Sequence, residues 1–119
     1  MLLQHQRWSN AYYLAGYSIE LALKACIAKQ ISADTIPDKS ILNGVLSHEF
    51  KQLIGLAGLR IELKGEQDRN SEFGANWAIA LEWRPDSRYQ SNPAMSAQTL
   101  LKAIADERNG VFRWIKLFW

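Results

Sequence analysis

Hydrophobic residues recur at every third or fourth position over the first thirty residues, which is the spacing of an α-helix rather than of a strand. We predict a helix over Gln6–Gln30. Small residues form one stripe along it, at Ala11, Ala15, Ser18, Ala22 and Ala25, flanked by Leu14, Leu21 and Ala28. Small side chains let another helix approach closely, so this stripe is expected to pack. A neighbouring row is more polar and consists of Tyr13, Tyr17, Glu20 and Lys24.

Three further helices are predicted downstream from the same spacing. They cover about Leu46–Leu59 with Ser47 as N-cap, a segment from Ile61 or Gly65 to Trp83, and Ser96 to the C-terminus. Segments 31–44 and 84–95 are rich in turn-forming residues and are expected to be connections. No stretch shows the sustained alternation of a strand. The chain is therefore expected to be all-α, a four- to five-helix up-down bundle forming one domain over 1–119.

Composition supports a globular protein and excludes several classes. The chain has 119 residues, of which 48% are hydrophobic and 22% charged, enough to bury a core without disulfides or a structural metal. The single cysteine, Cys26, cannot form an internal disulfide and is expected in the core of a cytoplasmic protein. No apolar run is long enough to cross a membrane. A net charge of +2 does not indicate nucleic-acid binding, so an RNA partner would need a local site.

Most enzyme classes are also disfavoured by the residues present. Two histidines, His5 and His48, and one cysteine are too few ligands for a zinc site. The chain has no phosphate-binding glycine motif and no nucleophile elbow. We therefore expect no metal and no cofactor.

The candidate binding residues are polar side chains in otherwise apolar surroundings. They are Tyr17, Glu20, Lys24, His48, Trp83, Arg88, Tyr89, Arg108 and Asn109. Each set has a simpler structural interpretation as well. The polar row on the first helix could be a solvated face. His48 could be a helix cap or the partner of a core polar group. The Trp83–Tyr89 cluster could hold its loop against the bundle. Arg108 and Asn109, expected midway along the last helix, could lie on an exposed face.

The C-terminal tail is mostly apolar, and its aromatic residues point in too many directions for one bundle to bury them. We expect an interface, formed in a homodimer or with a tightly bound partner, that uses Phe112, Trp114, Ile115, Phe118 and Trp119. Burial of these side chains against the chain's own first helix is the alternative.

Three quoted segments together resemble the HEPN domain of prokaryotes. They are AYYLAGYSIELALKACIAK with its GYxxExxLK pattern from Gly16 to Lys24, HEFKQLIGLAGL, and WRPDSRY before a closing helix with AxxRN. The resemblance spans about Ala11 to Trp114. It implies a dimerising helical bundle, often a toxin of a toxin–antitoxin or defence system, with a nucleotidyltransferase partner.

Many HEPN relatives cleave RNA without metal, using an arginine followed after four to six residues by a histidine. Here Arg108 matches the arginine, but the histidine positions hold Arg113, Trp114 and Ile115. We therefore expect a non-catalytic or degenerate domain that binds a nucleotide, RNA or a partner protein. The alternatives are a ribonuclease combining Arg108 with His48 and a purely structural interaction module.

Overall fold

A helix of 29 residues, α1 (Leu2–Gln30), is the longest element of the computed structural model, which describes residues 2–31, 43–84 and 92–119. The other helices are α2 (Phe50–Leu56), α3 (Arg60–Arg69), α4 (Ser71–Leu81), α5 (Pro93–Ala105) and α6 (Val111–Lys116). Residues 43–45 add one helical turn, and no strand occurs in the described ranges. The predicted all-α bundle is therefore confirmed. No helix within these ranges has both the length and the apolar character needed to cross a membrane.

The buried face of α1 differs from the stripe of small residues that the sequence suggested. Its core side chains are Tyr12, Ala15, Ile19, Ala22, Leu23, Cys26 and Ile27. Ala25 is exposed, and so are Leu14 and Leu21, at 61% and 50%. The helix is rotated toward its larger apolar residues because burying an isoleucine or leucine removes more apolar surface from water than burying an alanine.

The helices that flank α1 run in defined directions. Tyr12, in the first half of α1, and Thr99, midway along α5, line the same cavity, whereas Cys26 contacts the backbone of Ile115 in α6. The segment from α5 to α6 therefore runs in the same direction as α1. Glu82, just after α4, lies at the Tyr12 end, so α4 and α5 pack as an antiparallel pair.

The second predicted helix begins four residues later than expected. Ser47 is not its N-cap, because Glu49 occupies that position with an extended backbone. The Ser47 hydroxyl instead accepts a hydrogen bond from the Glu49 N–H at 3.0 Å, a local turn that competes with helix formation. The helix also ends three residues earlier than expected, at Leu56, and Gly58, with a φ of 73°, follows it in the left-handed conformation.

The third and fourth predicted helices are each interrupted once. Asn70 leaves the helical conformation and its side chain accepts from the Phe73 N–H, capping α4 and separating it from α3. Asp106 makes the second break, because its carboxylate accepts from the N–H groups of Arg108 and Asn109 at 2.9 and 2.7 Å. Arg108 and Asn109 therefore lie in a turn between α5 and α6, not midway along a helix.

The tail packs mainly against its own chain, which corrects part of the predicted interface. Trp114 and Ile115 are buried in the core, because α6 folds back onto α1. Cys26 is buried there too, as expected, and this burial raises the pKa of its thiol. Phe112 and Phe118 are half-buried, and Trp119 is 46% exposed.

Replacing Asp106 by alanine is expected to lower the melting temperature at neutral pH, because two N–H groups of the turn lose their acceptor. These N–H donors hold the pKa of the Asp106 carboxyl below its usual value. A carboxyl with a lowered pKa stabilises the fold above its unfolded pKa and loses that effect as the pH falls. The difference in melting temperature from the wild type should therefore shrink between about pH 7 and pH 3.

The control for this prediction is Glu107→Ala, which removes a neighbouring carboxylate that is exposed and for which no described residue supplies a hydrogen bond. It should show a smaller and less pH-dependent change, followed by circular dichroism. Equal behaviour of the two variants would contradict a role for the Asp106 hydrogen bonds.

Candidate functional site

Glu20 is the one buried charged side chain in the described part of the chain, with 1% of its surface exposed. Each of its carboxylate oxygens has a nitrogen partner. The Lys24 ammonium, one turn further along α1, lies 3.1 Å from Oε2. The His48 ring nitrogen Nδ1 lies 2.6 Å from Oε1. We call Glu20, Lys24 and His48 the carboxylate cluster.

His48 reaches Glu20 because the chain before α2 is not helical. The turn between Ser47 and Glu49 keeps this segment extended, and the ring of Phe50 anchors its end. Phe50 stacks on Trp83 with ring centroids 5.4 Å apart and planes at 12°. The contact of Phe50 with Trp83 therefore fixes where His48 meets α1.

Trp83 itself depends on a glycine of α1. Gly16 lies one turn before Glu20, and a Cβ at this position would overlap the Trp83 indole ring. The side chain of Trp83 is 2% exposed, and its Nε1 has no hydrogen-bond partner among the described residues. The glycine of the GYxxExxLK pattern thus serves close packing, which gives a physical reason for a poor helix former inside a helix.

Two tyrosines extend this aromatic group to the surface. The rings of Tyr13 and Tyr17 are stacked, with centroids 5.9 Å apart and planes at 10°. Tyr13 also lies 6.3 Å from the Trp83 ring in a tilted arrangement. Tyr17 is 36% exposed, and it lies three residues before Glu20, on the side of α1 that carries the carboxylate cluster.

The exposure of the two nitrogen-bearing side chains determines what the cluster can do. The side chain of His48 is 57% exposed and that of Lys24 23%, whereas the Glu20 carboxylate is covered. The carboxylate therefore holds two nitrogen side chains at the surface. Such a group can bind an anion or, through the imidazole, transfer a proton. No group of three metal-ligating side chains occurs in the described ranges.

The structure brings together five of the sequence-predicted binding residues: Tyr17, Glu20, Lys24, His48 and Trp83. For His48 the simpler interpretation, a partner for a core polar group, describes the observed contact. Arg88 and Tyr89 lie outside the described residues. Sequence reasoning missed Gly16 and Phe50 as positioning residues, although a glycine within a strong helical pattern was a usable signal.

Arg108 and Asn109 belong to a different part of the fold. Arg108 lines a cavity of about 210 Å³ together with Arg113 and Trp114, and no member of the carboxylate cluster lines it. Asn109 has a structural role, because its hydrogen bonds link the turn between α5 and α6 to other parts of the chain. Its side-chain oxygen accepts from Asn70 at 2.6 Å, and its backbone carbonyl accepts from Asn76 at 2.9 Å.

No protein-family model matches the chain, and the comparisons with curated proteins and with solved structures gave no match either. Membership of the HEPN family therefore remains a prediction from the sequence motifs. The carboxylate cluster and the aromatic residues around it are the features of the molecule that bear on function.

Replacing Gly16 by alanine is expected to destabilise the fold by about 1–3 kcal/mol, because the new methyl group overlaps a packed indole ring. Gly74→Ala is the matched control. A Cβ there makes only ordinary contacts with Gln67 of α3, so alanine should stabilise the helix by about 0.5–1 kcal/mol. Urea unfolding followed by circular dichroism measures both. A Gly16→Ala variant as stable as the wild type would rule out the tight contact with Trp83.

Removing both partners of Glu20 is expected to be costly, because it leaves a buried carboxylate without compensation. The double variant Lys24→Ala/His48→Ala should lose about 3 kcal/mol of unfolding free energy. Adding Glu20→Gln should restore part of the loss, since the neutral amide costs less to bury. The exposed pair of Arg69 and Glu66 is the control, and Arg69→Ala should cost less than about 1 kcal/mol. A triple variant no more stable than the double would contradict the buried charge as the cause.

Proposed function

We propose that the chain is a non-catalytic, HEPN-like helical domain that binds the phosphate of a nucleotide or of RNA at the carboxylate cluster. The observation that carries the proposal is the buried Glu20 carboxylate, which presents two surface nitrogen groups beside an exposed tyrosine. Nucleotide recognition commonly combines a cationic contact to phosphate with an aromatic side chain next to it.

A purely structural role explains this cluster less well. Burying a carboxylate is unfavourable, and its partners only offset that cost, so an apolar residue at position 20 would stabilise the bundle as well or better. What the carboxylate adds is orientation, because it fixes both the lysine and the histidine at one point on the surface. Such fixed donors are useful for holding a ligand.

A metal-independent ribonuclease is the second candidate, and one contact favours it. A carboxylate that is hydrogen-bonded to one ring nitrogen of a histidine can orient the imidazole for proton transfer through the other nitrogen. His48 and Glu20 have this arrangement. The role proposed for Arg108 is not supported within one chain, because Arg108 lines a separate cavity.

The partners are proposed from the exposed apolar surface and from the resemblance to HEPN domains. Exposed apolar side chains on α1 and in the tail, such as Leu14, Leu117 and Trp119, are suited to a second copy of the chain. The resemblance to HEPN domains adds a nucleotidyltransferase partner and a toxin–antitoxin or defence setting to the proposal. If ligand binding fails altogether, a structural interaction module is what these surfaces would still allow.

The proposal is tested by fluorescence anisotropy with a short labelled RNA in EDTA, followed by electrophoresis of the same samples. We expect binding that leaves the RNA intact and that weakens both in Lys24→Ala and in His48→Ala, because each variant removes one nitrogen group held by Glu20. Lys51→Ala removes an exposed lysine on α2 and is the control for bulk charge. RNA cleavage that is lost in either His48→Ala or Arg108→Ala would instead establish the ribonuclease.

A further inference from the structure

Tyr17, the exposed tyrosine next to the carboxylate cluster, indicates which chemical group the ligand carries besides its phosphate. Tyr17 is the outer member of a group of four aromatic rings, in which each neighbouring pair has centroids between 5.4 and 6.3 Å apart. The inner members, Trp83 and Phe50, are buried, and the outer two are partly exposed. The ring of Tyr17 is therefore held from one side by Tyr13.

We propose that the ligand is single-stranded nucleic acid, with an unpaired base stacking on Tyr17 and the adjoining phosphate held by Lys24 and His48. This inference rests on the proposed phosphate site and specifies what else that ligand carries. Every nucleobase has a flat face that stacks on an aromatic ring, so recognition would tolerate different sequences.

The spacing along α1 fits this arrangement. Tyr17 and Glu20 are three residues apart, which corresponds to a rise of about 4.5 Å along the helix. The Lys24 ammonium and the His48 ring both contact the Glu20 carboxylate, so these two nitrogen groups lie about one turn from the tyrosine. One short strand can therefore place a base on Tyr17 and, at the same time, the adjoining backbone phosphate on the carboxylate cluster.

The same geometry disfavours a duplex. Paired bases are already stacked on one another inside a double helix, and they cannot cover a tyrosine ring on the side of a helix without being unstacked. A duplex could still touch Lys24 and His48 through its phosphates. Single strands should therefore bind more tightly than duplexes of the same length.

The rigidity of the tyrosine pair supports a role in stacking. A ring that already packs on Tyr13 loses little conformational freedom when a base covers it, so less of the stacking energy is spent on ordering the side chain. Leu14 and Leu21, the exposed apolar neighbours of Tyr17 on α1, offer no flat face. Only Tyr17 combines exposure, a fixed ring plane and closeness to the cations among these neighbours.

The test compares four probes by anisotropy or competition: a ten-nucleotide single-stranded RNA, the single-stranded DNA of the same sequence, the corresponding duplex, and inorganic polyphosphate of similar length. Both single strands should bind more tightly than the duplex and the polyphosphate. Tyr17→Leu should weaken single-strand binding about tenfold or more, while Tyr17→Phe should retain it, because the stacking face is preserved.

Two controls separate the possible failures. Asn10→Ala changes an exposed side chain on the same helix and should leave all four probes unaffected, and melting temperatures check that each variant is folded. If polyphosphate binds and Tyr17→Leu does not weaken the single strands, the stacking inference is wrong and the phosphate site stands. If no probe binds the wild-type chain, the proposed function itself fails.

Discussion

The contact between the Trp83 indole and the backbone of α1 at Gly16 determines the position of most of the candidate site. Because α1 has no side chain there, the indole lies directly against the helix, and its other neighbours are arranged around it. Phe50 stacks on the indole and sets the start of α2. His48 precedes Phe50 by two residues, so the approach of the imidazole to Glu20 depends on a packing contact and not on a hydrogen bond.

Much of the fold could be predicted from the sequence, because it follows from periodicity. The long α1, its pairing of Glu20 with Lys24, the burial of Cys26 and the absence of strands in the described ranges all come from local spacing. The breaks could not be read in this way. Asn70 and Asp106 interrupt helical patterns because their side chains accept backbone N–H groups, an alternative to helix that periodicity does not register.

The site was less predictable than the fold because its main contact joins distant parts of the chain. His48 and Glu20 are 28 residues apart, and no spacing rule connects them. The C-terminal tail is a second case in which contacts between distant residues were not predicted. Its aromatic residues suggested an interface, but the turn at Asp106 redirects the chain so that Trp114 packs on Phe73 within the core. A straight helix would have exposed more of them.

The polar helix α3 has a consequence for how stability is distributed in the molecule. None of its residues is fully buried, and it is joined to the bundle by a left-handed glycine at one end and by the Asn70 cap at the other. Few apolar contacts would be lost if α3 opened by itself, so its local unfolding requires much less free energy than that of α1. Insertions and changes of charge should be tolerated there while the Glu20 side of the molecule keeps its geometry.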